Sequence, residues 1–172
     1  MREILTVNNK TDEKFLRLKT AEFDFSKFTR KEINELVKMM REIMIKTDGI
    51  GLAANQIGLD FRLFVAQLPK SEKTGDKKFY AIFNPEIVKT SGDKELLDEG
   101  CLSVPGGYYG EVDRDLKITL EGFDKNNKKL KIKAWGLLAR VFQHEIDHLN
   151  GKLFIDKAKS IKKIELDKKV KI

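Results

Sequence analysis

The sequence predicts an α+β fold, a single compact domain spanning residues 1–172 in which antiparallel or mixed sheets pack around a central helix. Three observations carry that expectation. Ile33, Leu36, Val37, Met40, Ile43 and Met44 recur at spacings of three and four, the stripe of an amphipathic helix. Two period-two segments flank Asn126-Asn127, as a hairpin requires. A second helix is expected from Gly136 to Leu149, ending at Asn150-Gly151.

Size and composition agree with one soluble body. A chain of 172 residues and 19.8 kDa leaves little room for two domains. At this length folding hides close to ~70% of the unfolded surface, so no disulfide or zinc staple is needed for a core. With 41% hydrophobic and 35% charged residues the chain is too apolar for disorder and too polar for a membrane protein. No apolar run approaches the ~18 residues of a span, and Met1 to Lys10 lacks a secretory apolar segment, so a cytoplasmic protein is expected. The lone Cys101 excludes an internal disulfide. Thirty-four basic against 27 acidic residues give +7, which favours approach to polyanions without identifying one.

Taken in order, residues 1–25 show no clean period and read as an irregular arm with at most one short strand. Ser26 or Thr29 can cap the first helix, Glu32 completes a capping box with Thr29, and Gly49 can end it in a left-handed turn. Phe61–Leu68 and Phe79–Phe83 read as strands around a polar loop at 69–78 with Pro69, Ser71 and Gly75. Leu116–Phe123 and Leu130–Trp135 form the hairpin. From Lys157 the tail carries seven lysines and is expected to be a short surface helix or a frayed end.

The chemistry concentrates in two histidines. His144 and His148 are the only ones in the chain, and they stand four apart with Glu145 between them. Of the 14,706 possible position pairs in 172 residues only 168 have that separation, so chance is a poor account. On a helix both imidazoles reach one ion, while Glu145 lies about 60° from His148 around the axis, placed to touch a water rather than the ion. Two imidazoles make half a tetrahedral shell, and a third ligand must come from elsewhere. Cys101, in the constrained loop Glu99-Gly100-Cys101-Leu102-Ser103-Val104-Pro105-Gly106, is the only soft donor; the bland alternative is a small buried hydrophobe. A zinc endoprotease using the same helix would instead take Asp156 or Glu165 as its third ligand.

Three segments, Gly49-x-Gly51-x-Ala53-Ala54-x-Gln56, Glu99-Gly100-Cys101-Leu102-Ser103 and Gln143-His144-Glu145-x-x-His148, resemble in order the signature motifs of the peptide deformylase family. Helix 28–48, Asn84-Pro85, Gly136 to Arg140, and Asp147 to Asp156 are similar too, so the resemblance covers about residues 28–156. The Val7-Asn8-Asn9-Lys10 opening departs from the family's Tyr-Pro-Asp-Pro-like start, and the loop Gly106 to Val112 is one residue longer than is common.

The resemblance implies a metal-dependent hydrolase that removes the formyl group from the N-terminal formylmethionine of new polypeptides, releasing formate. It implies metal ligands Cys101, His144 and His148, with Glu145 as the proton carrier and the Gln56 amide and Leu102 backbone N–H as donors to the formyl oxygen. It also implies that the peptide binds as an added strand at Ile50 and Gly51. Leu137 and Val141 share the helix face of His144 and are candidates for the methionine pocket or for ordinary core packing. Glu99 is expected to be structural, accepting hydrogen bonds or pairing with Arg114. Donor types alone suggest zinc; the family implies Fe(2+), with Zn(2+), Ni(2+) or Co(2+) as substitutes. Expected partners are N-formylmethionyl nascent peptides and a transient ribosome contact through the basic tail, with no membrane and no dedicated DNA binding. The remaining rival is a basic ribosome-binding protein that has kept the fold without the activity.

Overall fold

A computed structural model describes residues 2–69 and 76–164. The chain runs α1 (Lys10–Leu16), α2 (Arg30–Lys46), β1 (Gly51–Ala53), β2 (Leu63–Pro69), β3 (Lys77–Thr90), β4 (Lys94–Glu99), β5 (Tyr108–Asp115), β6 (Lys117–Phe123), β7 (Lys129–Trp135), α3 (Gly136–Leu149) and β8 (Ile161–Lys163). Every strand pair is antiparallel. One sheet has the order β1-β2-β3-β6-β7 and the other β4-β5-β8, with α3 between them.

α2 starts where the capping box places it. The Thr29 side chain accepts from the Glu32 N–H, and the Glu32 carboxylate accepts from the Thr29 N–H at 2.7 Å. At its other end Asp48, not Gly49, adopts the left-handed conformation (φ 55°), and the Gly49 N–H returns to the Met44 carbonyl. A short Asp side chain tolerates that region, so the glycine is spared for a close approach to Leu102. α2 buries Ile33, Val37, Met40, Ile43 and Met44 against Leu63 and Val65 of β2 and Phe83 of β3.

The N-terminal arm is not irregular throughout. Asn9 caps α1, accepting from the N–H groups of Thr11 and Asp12, and no strand forms in residues 2–25. Asn84 (φ 47°) holds the arm to the sheet by bonding both the N–H and the carbonyl of Phe23. The segment after Gly107 is strand β5 from Tyr108 onward rather than loop. In the tail, Ile161–Lys163 pairs with Tyr108–Gly110 as β8, so this part is strand and not surface helix; residues 165–172 lie outside the described residues, as do 70–75 of the polar loop. No helix among the described residues is long and apolar enough to cross a membrane.

α3 is buried on nearly all sides, and its three faces do different work. Ala139, Phe142, Ile146 and Leu149 pack on the five-stranded sheet. Arg140, Gln143 and Asp147 bond to the three-stranded sheet, Gln143 bridging the N–H and carbonyl of Asp115. The third face, with Val141, His144, Glu145 and His148, looks toward β1 and the loop after β4. Removing the α2 cap tests the local account: Thr29→Ala is expected to cost about 1 kcal/mol. For a domain of this size that lowers the calorimetric midpoint by about 2–4 °C.

Candidate metal centre

The strand-to-loop transition at Glu99-Gly100-Cys101 and one face of α3 bring three donors together. Cys101 Sγ lies 3.1 Å from His148 Nε2, which lies 3.2 Å from His144 Nε2, and the three ligand atoms fall within 4.8 Å of one another. A tetrahedral shell with bonds of 2.0–2.3 Å separates its N and S ligands by about 3.3–3.6 Å, so the set fits one ion with small adjustments. Both ring nitrogens that converge are Nε2, on side chains that a four-residue step places on one helix face.

The supporting shell is just as specific. Glu99 is buried and receives two bonds from Arg114 at 2.8 Å, one from Arg140 at 2.8 Å, and the His144 Nδ1–H at 3.0 Å. That last bond leaves His144 Nε2 as the free donor atom. Arg114 also donates to Asp147, which Lys157 Nζ approaches at 2.7 Å. The expected Glu99–Arg114 pair is therefore present, and Arg140, Asp147 and Lys157 extend it; none of these three is marked in the sequence beyond being charged residues in an otherwise buried helix and its flank.

Electrostatics follow the geometry. Burial raises the Glu99 carboxyl, but bonds from Arg114 and His144 outweigh it and hold the group well below the usual carboxylate range. Burial likewise disfavours the Cys101 thiolate, yet the facing His148 and His144 rings lower the thiol well below its ordinary value. The pair's other half, His144, is raised despite burial because the thiolate and Glu99 favour its charged form. Glu145 goes the other way: burial dominates and pushes it up to about 7. Its Oε2 has no hydrogen-bond partner among the described residues, nor has His148 Nδ1.

Gly51 explains how the Glu145 carboxyl reaches the site. A Cβ there would sit against Glu145 Oε1, 2.8 Å from its Cδ and 3.1 Å from Val141 Cγ1, so only glycine lets β1 pass this close to α3. Gln56 is buried, its Oε1 accepting from the Ala53 N–H at 2.8 Å and its Nε2 reaching Ser103 Oγ at 3.2 Å and Cys101 Sγ at 3.6 Å. The Leu102 side chain packs in the α2 core. Its N–H has no acceptor among the described residues. Ile50 is exposed on the edge of β1 with its carbonyl bonded to the Gln67 N–H, Val141 is buried, and Leu137 is 55% exposed one turn away. Asp156 is taken up by Arg17 and by the Leu153 N–H, away from the histidines, and Glu165 lies outside the described residues.

The match to known proteins is equally specific. The model of the polypeptide deformylase family matches residues 1–164. The chain belongs to that family. A curated peptide deformylase of Halothermothrix orenii is 45% identical over 133 residues, 77% of this chain and 80% of that protein. Among solved structures, a probable peptide deformylase from Synechococcus phage S-SSM7 is 43% identical, with a TM-score of 0.80 over 91% of this chain and 99% of the other. A class I type b peptide deformylase from Acinetobacter baumannii, solved with Met-Ala-Ser bound, is 27% identical with a TM-score of 0.79 over 91% and 98%. Members of the family remove the formyl group from N-formylmethionyl peptides, and the Cys101, His144, His148 group fits a metal-dependent deformylase.

The buried cluster predicts a stability effect separable from chemistry. Arg114→Met leaves Glu99 and Asp147 charged and short of partners, and is expected to cost about 3–5 kcal/mol in denaturant unfolding. Arg114→Lys restores little of it, because an ammonium cannot span two carboxylates as a planar fork does.

Proposed function

We propose that Cys101, His144 and His148 hold one divalent cation, and that Glu145, Gln56 and Leu102 carry out deformylation of N-formylmethionyl peptides beside it. What supports this is the convergence of one sulfur and two Nε2 atoms next to a buried carboxyl that has an unbonded oxygen. When bound, such a cation acidifies a water and polarises the formyl oxygen. Glu145, pushed up to about 7, is matched to accept a proton near neutrality and return it to the leaving amine. The Leu102 N–H is open, and one Gln56 N–H rests on a long 3.6 Å contact with sulfur, so both can turn to an oxygen that gains negative charge.

The peptide is read as an added strand on β1, the edge of the five-stranded sheet, using the main chain at Ile50 and Gly51. Its methionine side chain would enter beside Leu137 and Val141, the first exposed and the second buried on the histidine-bearing side of α3. For the resident ion we favour Fe(2+); affinity order alone would select zinc, so loading in the cell must depend on supply. A cytoplasmic setting and a transient ribosome contact through the basic tail complete the reading; of that tail, Lys162 and Lys163 are exposed in β8.

Protein prepared without oxygen should release formate from formyl-Met-Ala-Ser; its absence with metal bound would remove the assignment. Folded Cys101→Ala is expected to lose stoichiometric metal, whereas a Cys101→Ala protein that keeps it would return the third ligand to an acid. Glu145→Ala is expected to keep the metal and lose turnover by about 10²–10⁴-fold. Activity within threefold of wild type would exclude Glu145 as proton carrier.

A further inference from the structure

The five-stranded sheet has one face that the helices only half cover. On the α2 side, the core made by Leu63, Val65 and Phe83 ends at Phe123 of β6. Beyond it the two-residue alternation puts Lys117, Thr119 and Glu121 of β6, and Lys129, Lys131, Lys133 and Trp135 of β7, on that same uncovered face. Their neighbours Ile118, Leu120, Ile132 and Ala134 point the other way, into the α3 core. Lys89 of β3 joins the uncovered face in a row with Thr119 and Lys133, and the exposed Glu86 joins it in a row with Glu121 and Lys131, so five lysines face two acids there.

Lys131 is neutralised by Glu121 at 2.7 Å. Lys89, Lys117, Lys129 and Lys133 are exposed, and no carboxylate among the described residues lies within ion-pair distance of them. Lysines two residues apart along β7 are spaced by about 6.6–6.8 Å, and rows two strands apart by about 9.6 Å. Lys89, Lys117 and Lys133 thus sit within about one screening length of each other at 0.1 M salt, with Lys129 about 13 Å from Lys133 along β7, and the group makes a positive field. At the end of this row stands Trp135, the only tryptophan of the chain and 69% exposed, the most exposed large apolar side chain among the described residues.

Lysines on β7 also discourage unwanted strand addition at a sheet edge. That role does not extend to Lys89 and Lys117, which lie on the inner strands β3 and β6, and it gives no reason to leave an indole in water. A membrane surface would want several apolar anchors around the indole, whereas its neighbours on this face of β6 and β7 are Lys117, Thr119 and Lys133. Cations that track a backbone, with an open aromatic ring at the end of the track, are the chemistry of single-stranded nucleic acid binding. The family's substrates are nascent chains, which emerge from an RNA-rich particle.

We propose that this lysine and tryptophan face binds single-stranded RNA, with phosphates on Lys89, Lys117, Lys129 and Lys133 and an unstacked base on Trp135. The site is separate from the metal centre and from the basic tail, and none of its residues belongs to the catalytic set.

Because Trp135 is the sole tryptophan, its emission reads the contact directly. Whole protein is titrated at 50 mM salt with a single-stranded oligouridylate dodecamer, with inorganic polyphosphate, and with phosphatidylserine vesicles. The dodecamer is expected to quench Trp135 emission saturably, whereas polyphosphate competes through charge without quenching. By anisotropy of end-labelled dodecamer, Trp135→Ala should bind at least fivefold more weakly. Lys129→Gln/Lys133→Gln should bind about tenfold more weakly and lower the salt slope by about 1.4, while its circular dichroism and its formate release from formyl-Met-Ala-Ser stay unchanged. Unquenched emission with RNA, quenching by vesicles but not RNA, or wild-type RNA affinity in both variants would each overturn the proposal, the last by moving RNA binding to the tail.

Discussion

The buried carboxylate of Glu99 is the joint on which the site depends. It ends β4, stands two residues before Cys101, and takes bonds from Arg114 on β5 and from Arg140 and His144 on α3. One anion therefore fixes the position of the sulfur-bearing loop relative to the histidine-bearing helix. Placing a charge in this environment is unfavourable on its own, and the arrangement holds because both oxygens are fully engaged by cationic donors. Asp147 repeats the device from the helix side, receiving Arg114 and Lys157, so the same guanidinium clamps both elements.

Around that joint, α3 separates two sheets and turns a different chemistry toward each. Its apolar face rests on the five-stranded sheet, its Arg140, Gln143 and Asp147 on the three-stranded one, and the remaining face closes the metal centre. The close pass of β1 at Gly51 then keeps Glu145 out of water, and it is this exclusion that raises its carboxyl to about 7. Packing and acid–base poise at Glu145 have one cause. A larger residue at 51 would widen the gap and admit the solvent that the carboxyl now lacks.

What the sequence discloses is whatever has a short period or a scarce residue. α2 was legible because its stripe runs over 17 residues and its capping box is local, and the hairpin because β6 and β7 alternate cleanly around Asn127 (φ 59°). The His144, Glu145, His148 spacing identified the helix of the site, and the Cys101 loop followed from being the only soft donor. α1 was missed because seven residues hold fewer than two turns, although Asn9 and the acidic Asp12 and Glu13 mark its start. β4 carries exposed Leu96 and Leu97 side by side, which breaks the alternation, and β5 places Gly110, Val112 and Arg114 inward, so its buried face does not read as apolar. The roles of Arg140 and Asp147 are long-range pairings, and no local pattern encodes which buried cation meets which anion.

The two edges of the large sheet show a further division that single residues do not reveal. β1, at one edge, is Gly51-Leu52-Ala53 with exposed Ile50 before it, free of charge and short, so its main chain is open to a partner strand. β7, at the other edge, carries Lys129, Lys131 and Lys133, whose charge opposes strand addition. On the proposed reading, main-chain pairing is thereby steered to the edge beside the candidate metal centre, where Gly51 brings the backbone against Glu145. The charged edge keeps the same sheet from recruiting other chains at its far side, and a sheet with both edges uncharged would have no such preference.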